Sequence, residues 1–251
     1  MKTPRNIIFA TLLFIAPAQA HAADTVDLAL VLAVDASSSV SYVEFNLQMS
    51  GLANAFRDKS VQAAIALATP NGMAVTMVQW SSIGEQRQAF PWTVLREPDD
   101  AEALAEVIGR TPRLNHGGGT AISDAIDFSV GLIQGSRVTA TRRVIDISGD
   151  GRTNMGLERG PETSRRAVAA GIIINGLAIL NDDPLLEAYY LTHVIGGTNT
   201  FTMVADDYSD FTLTVTATTT DGDSEASTTG TIAVTVDPVV VDDTTAEGVT
   251  L

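Results

Sequence analysis

The chain has 251 residues, 45% of them hydrophobic, enough apolar material for one sizeable core with a small appendage and too much for a disordered chain. Acidic residues outnumber basic ones by 30 to 15, a formal charge of −15, so the surface repels nucleic acid and anionic membranes and favours cations or basic partners. There is no cysteine, which excludes a disulfide framework and thiolate chemistry.

At the start of the chain Lys2 and Arg5 precede an apolar stretch from Ile7 to Ala16 and then small residues in "APAQAHAA". This three-part pattern predicts a secretory signal peptide over 1–22, cleaved after Ala18-Gln19-Ala20 or Ala20-His21-Ala22. The apolar run is about half of the roughly 20 residues a membrane span needs, and no later stretch is long and apolar enough to be one. The expected mature chain is secreted, periplasmic or held at the cell surface. It keeps 13 basic residues against 30 acidic ones, a formal charge near −17.

From Val26 to about residue 205, short β-rich runs alternate with helical patterns. "VDLALVLAV" (26–34) is nearly continuous apolar, as a strand buried on both faces must be. Ser41 and Glu44 form a capping box, after which Met49, Leu52, Ala53 and Phe56 follow helical spacing. "MAVTMVQW" (73–80) predicts a second buried strand, and "QAFPWTVL" (88–95) an edge strand, because Pro91 cannot donate to a ladder on both sides. A helix over 99–110, a glycine-rich loop and a helix over 120–134 come next. Then follow a strand over 142–148, a helix over 161–170, a strand over 171–180, a helix over 183–194 and a weaker strand over 199–205.

Strands alternating with helices of this length predict an α/β doubly wound domain over 24–208, with a mainly parallel sheet covered by helices on both faces. Ligands of such sheets bind at the carboxyl ends of the strands, beside the point where the strand order reverses. After residue 208 the sequence turns Thr- and Val-rich and alternates with period two on each side of "DGDS". This pattern predicts a β-hairpin over 209–237 followed by an acidic linker over 238–251.

Three loops concentrate oxygen atoms. "DASSS" ends the first strand with Asp35, Ser37 and Ser39 in a D-x-S-x-S arrangement, where alternate residues of a turning loop can face one side. A hard divalent cation takes such oxygens at about 2.1 Å, and a polar turn with capping serines is the competing reading. "NHGGGT" delivers Thr120 at the start of a helix, alternatively as a simple N-cap, and "ISGDG" ends a later strand with Asp150 between glycines, alternatively an Asp-Gly turn.

In this order, on an α/β framework, the D-x-S-x-S strand end, the GGT loop and the D-G strand end resemble the von Willebrand factor A domain family and its metal-ion-dependent adhesion site. The resemblance covers roughly residues 26–208. It implies a Rossmann-like fold and a bound Mg²⁺, with Mn²⁺ or Ca²⁺ as substitutes. Ser37, Ser39 and Thr120 would be hydroxyl ligands, while Asp35 and Asp150 would act through water or as hydrogen-bond acceptors. It further implies a protein partner that supplies an Asp or Glu carboxylate to the ion.

"RRVIDISGDGRTN", "INGLAIL" and "YYLTHVIGG" are similar to a bacterial exported subfamily of such domains of unknown function. There a closing helix follows the last strand. Here "DDYSDF" runs into the hairpin, which resembles the end of an immunoglobulin-like or cadherin-like repeat. At its tip Asp221 and Asp223 are either Ca²⁺ ligands between repeats or an ordinary polar turn.

Enzyme readings find less support in the residues. Ser39, His116 and Asp150 supply the members of a hydrolase triad, but "DASSS" is not a G-x-S-x-G elbow. Metal-assisted phosphoester hydrolysis wants more carboxylates beside Arg113 and Arg152, and the glycines of "HGGGT" lack the lysine of a P-loop. Trp80 and Trp92 read as packing residues, Asp127 as a solvated or capping charge, and of Tyr189 and Tyr190 at most one faces the core. A metal-dependent hydrolase and a passive segment of a larger surface protein stand as alternatives to the adhesion module. Oligomeric state is not legible.

Overall fold

A strand with no polar face has to lie in the middle of a sheet, and the run after Asp24 does. The computed structural model describes residues 24–155, 160–208, 213–218 and 231–236. Strand β1 (Asp24–Asp35) pairs in parallel with β2 (Met73–Trp80) on one side and with β4 (Val138–Gly149) on the other. Strands β5 (Ile173–Ile179) and β6 (Thr202–Ala205) extend the sheet in parallel beyond β4. The Pro91-containing β3 (Gln86–Leu95) pairs antiparallel with β2 at the opposite edge, so the order is β3-β2-β1-β4-β5-β6.

Both faces of β1 are covered. Leu28, Leu30, Leu32 and Val34 pack with helices α1 (Tyr42–Arg57), α2 (Lys59–Ala68) and α3 (Pro98–Arg110). Val31 and Ala33 join the core of α4 (Ile122–Gly135), α5 (Gly160–Ala169) and α6 (Leu186–His193) on the opposite face. This is the expected doubly wound, Rossmann-like architecture. Because β2 and β4 flank β1 on opposite sides, the order reverses between β1 and β4, and a crevice opens at their carboxyl ends. Asp35 closes β1 at that crevice, and Asp150 directly follows β4.

Two elements differ from the sequence expectation. Helix α2 is additional: Asp58 caps the end of α1 and, with its carboxylate accepting from the backbone N–H groups of Ser60 and Val61, also starts α2. No glycine or proline marks that junction, so the apolar periodicity alone concealed it. Tyr189 and Tyr190 are both buried, at 6% and 0% exposure, rather than one facing the core at most. Tyr190 fills space over Gly176, where a β-carbon would lie 2.6 Å from its ring, and Tyr189 stacks on His193 at 4.6 Å.

Strands β7 (Leu213–Thr218) and β8 (Thr231–Val236) pair antiparallel as a separate two-stranded sheet. The leader over 1–22, the tip carrying Asp221 and Asp223 and the acidic linker over 238–251 lie outside the described residues. No helix among the described residues is long and apolar enough to cross a membrane.

Candidate metal centre

The loop after β1 folds on its own carboxylate. Asp35 is fully buried, and its Oδ1 accepts the backbone N–H of Ser37 at 2.7 Å, which turns the chain so that Ser37 and Ser39 face the same way, their Oγ atoms 3.1 Å apart. Ser37 is buried and Ser39 exposed, so the pair runs from the interior to the surface.

The three oxygen-rich loops close into a triangle. Ser39 Oγ donates to Asp150 Oδ1 at 2.7 Å, joining the β1–α1 loop to the loop after β4. Asn154 Oδ1 accepts from Thr120 N at 2.7 Å while Asn154 N donates to Thr120 O at 3.0 Å, joining the loop before α4 to the loop after β4. On the third side Ser38 N donates to Gly118 O at 2.9 Å and Ser38 Oγ accepts from Gly118 N at 2.7 Å. Ser38, the intervening residue of the D-x-S-x-S arrangement, is thus the clasp between two loops.

Thr120 is buried at 3% exposure, and a β-carbon on Gly151 would sit 3.6 Å from its Oγ1, which places that hydroxyl against the Asp150 loop. It is not the helix cap, a position held by Ala121 without a side-chain bond. The structure therefore brings Asp35, Ser37, Ser39, Thr120 and Asp150 to one end of the sheet.

The electrostatics of this arrangement call for positive charge. Asp35 Oδ2 is buried with no hydrogen-bond partner, and the buried Asp150 carboxylate is held by the hydroxyls of Ser39 and Tyr208. Burial, and after it the like charge of Asp150, push the Asp35 carboxyl up to about 7, while the Ser37 bonds and Arg113 pull the other way. Burial also raises Asp150. The phenols of Tyr190 and Tyr208 are raised by burial and by the two aspartates; Tyr208 hydrogen-bonds Asp150, while the Tyr190 hydroxyl is enclosed without a partner.

Among the described residues no three His, Cys, Asp or Glu side chains gather as a metal cluster. A donor set of three hydroxyls and two carboxylates instead suits a hard cation that keeps several waters, and two buried carboxylates, one with an orphaned oxygen on Asp35, are what such a cation would neutralise. The residues present fit the group that the sequence resemblance implies.

Sequence reading missed what holds this end of the molecule together. Arg113 was noted only as a nearby base, yet its guanidinium donates to the carbonyls of Val40 at 2.7 Å, Ala36 at 2.9 Å, Ser37 at 2.8 Å and Asn115 at 2.8 Å. It stacks over Tyr42, 5.1 Å from the ring centre. Gln79, buried within β2, bonds Pro112 O and Leu114 N and so anchors the following loop. Arginine in a polar loop and glutamine in a strand carry no spacing signal that would have identified them.

A hydrolase triad is not assembled. His116 Nδ1 lies 3.1 Å from the Tyr42 hydroxyl, and Ser39 Oγ bonds Asp150 directly. Asp127, read as a solvated or capping charge, pairs with Arg166 at 2.8 Å.

Residues 25–218 match the family described as "Protein of unknown function (DUF1194)". No curated protein matches the chain in sequence. Among solved structures, proximal thread matrix protein 1 of the mussel byssus is 16% identical with a TM-score of 0.57, over 74% of this chain and 44% of that one. The same protein with a zinc-occupied MIDAS motif is 15% identical with a TM-score of 0.53, over 74% and 45%. The pilus adhesin SpaC from Lactobacillus rhamnosus GG is 14% identical with a TM-score of 0.51, over 72% of this chain and 29% of that one. The chain thus spans less than half the length of each of these structures, and at such identities the likeness establishes the fold.

Proposed function

The chain belongs to the DUF1194 family of unknown function, and we propose that it acts as an exported, non-catalytic binding module that captures a protein partner through a divalent cation at the carboxyl end of β1. Ser37, Ser39 and Thr120 hold the ion through their hydroxyls, and Asp35 and Asp150 hold it through water and by fixing those hydroxyls. The natural ion is Mg²⁺, with Mn²⁺ and Ca²⁺ as substitutes. With so few carboxylates on it, the bound ion supplies an electrophilic site for an Asp or Glu side chain of the partner.

One observation carries this reading. The hydrogen bonds Ser39–Asp150, Ser38–Gly118 and Thr120–Asn154 bring three loops together beside two buried carboxylates, of which Asp35 keeps an oxygen with no partner. The zinc-occupied MIDAS motif of the byssus protein and the adhesive role named for SpaC support it from the side of the fold. Export rests on the leader pattern over 1–22. In the same reading the C-terminal hairpin is the end of an immunoglobulin-like or cadherin-like repeat.

Calorimetry with Mg²⁺ and Mn²⁺ tests the site. The wild type binds, and Asp35→Ala and Thr120→Ala do not, while their circular dichroism matches wild type because the site lies on loops. Unchanged metal binding in both variants would overturn the assignment. A Mg²⁺-dependent pull-down from the source organism's envelope fraction, with Asp35→Ala as control, then identifies the partner.

A further inference from the structure

The loops around the metal centre carry more apolar surface than a solvated rim requires. Eleven large hydrophobic side chains are exposed among the described residues, and six of them (Tyr42, Val43, Ile83, Leu114, Met155 and Leu185) sit on loops or a first helical turn at the carboxyl end of the sheet. Scattered exposed hydrophobes are ordinary, whereas a cluster framing a polar centre marks a contact surface.

Four of the six are tied to the centre by short links through separate loops. Tyr42 opens α1 directly after the serine loop, and its hydroxyl meets His116 just before the glycine turn. Ile83 follows Ser82, whose Oγ accepts from Gly119 N at 2.7 Å. Met155 follows Asn154, the partner of Thr120, and its side chain lies against Gly119. Leu185 donates its N–H to Asp183, whose carboxylate bonds Arg152 two residues beyond Asp150. Their exposures are 61%, 51%, 39% and 66%.

Of the acids on these loops and first turn, Glu85 is paired with Arg87 at 2.9 Å and Asp183 with Arg152 at 2.6 Å, so Glu44 and Asp182 supply the negative charge here, on a chain whose formal charge is −15. An acidic run would be repelled here, while one carboxylate reaching the ion between apolar neighbours would not.

We infer that the partner of this surface is a protein loop with a single Asp or Glu flanked by apolar side chains, the acid meeting the metal and its neighbours covering Tyr42, Ile83, Met155 and Leu185. This rests on the metal-centre reading and adds to it the apolar half of the recognition. Covering about 55 Å² of apolar surface is worth roughly a factor of ten in affinity, so the flanks would decide between partners that all carry the acid.

The test uses end-blocked, fluorescein-labelled peptides that differ only at the centre, Leu-Asp-Leu, Ser-Asp-Ser, Glu-Asp-Glu and Leu-Asn-Leu. They are titrated with the full chain by fluorescence polarisation in Mg²⁺ and in EDTA, beside calorimetry of Mg²⁺ alone. The expected result is that Leu-Asp-Leu binds about tenfold tighter than Ser-Asp-Ser and only with metal, with Glu-Asp-Glu weakest of the three and Leu-Asn-Leu silent. The Leu-over-Ser preference shrinks in the double variant Ile83→Ser with Leu185→Ser, which keeps wild-type Mg²⁺ affinity. Equal binding of the three aspartate peptides by a chain that takes up Mg²⁺ overturns the apolar frame and leaves the metal centre standing. So does a preference that the double variant retains in full. A wild type that takes up no Mg²⁺ removes the metal reading, and this inference with it.

Discussion

Ser39 Oγ and Asp150 Oδ1 stand 2.7 Å apart although 111 residues of chain separate them. The bond spans the crevice where the strand order reverses, so it positions a proposed ligand hydroxyl with a carboxylate from the other half of the sheet. Ser39→Ala removes both the hydroxyl and the tie, and Mg²⁺ affinity falls by at least about tenfold, a loss of about 1.4 kcal/mol. Ser39→Thr keeps a hydroxyl and restores most of the affinity. Calorimetry of the two variants decides, and equal affinities would remove Ser39 from the site.

Arg113 makes the opposite kind of contribution, since it supports the serine loop from behind. Its guanidinium satisfies the carbonyls of Ala36, Ser37 and Val40, all within the loop that presents Ser37 and Ser39. In Arg113→Met the apolar stem is kept and these acceptors lose their donor, so urea unfolding should register a loss of about 2–4 kcal/mol. Mg²⁺ affinity falls with it, because the loop is no longer held. Arg113→Lys recovers only part, as one ammonium cannot match a planar fork that serves four carbonyls.

The sheet and five of the helices were legible because their signals are local. The apolar run of β1 and the Pro91 edge strand follow from burial and from the missing donor, and the Ser41–Glu44 capping box is present as read. The five proposed metal residues were legible only through three motifs taken together, and the structure brings them to one end of β1 and β4. What escaped depends on contacts between distant residues. Arg113, Asn154 and Ser38 act through backbone groups, which leave no imprint on the spacing of side-chain types.

Ser38 and Gly118 show how such a backbone clasp is tested. Gly118 sits at φ +108°, a conformation that side chains rarely adopt, and a β-carbon there would collide with Ser82 Oγ. Gly118→Ala is therefore expected to cost about 1–3 kcal/mol and to weaken Mg²⁺ binding by shifting Thr120. Ser38→Ala loses the hydroxyl that accepts from Gly118 N and costs about 1 kcal/mol. Thermal melts of both variants check the order, and a Ser38→Ala chain as stable as wild type would reduce Ser38 to a mere spacer.

The pH dependence of stability carries a separate signature, from Asp146 on β4. Asn175 donates to its Oδ1 at 2.8 Å, but its Oδ2 is enclosed without a partner, and burial pushes the carboxyl up to about 7 against the pull of Asn175 and Arg142. An unfolded aspartate titrates near about 3.9. Between these values the folded chain holds a proton that the unfolded chain has released, so folding stability falls as pH rises through that window and levels off above it. In Asp146→Asn this share of the slope disappears. The variant's melting temperature should stay flatter from about pH 4 to about pH 7 and exceed wild type at the upper end. Parallel melting curves for the two chains would mean that Asp146 is ionised in the fold and that its enclosure costs nothing.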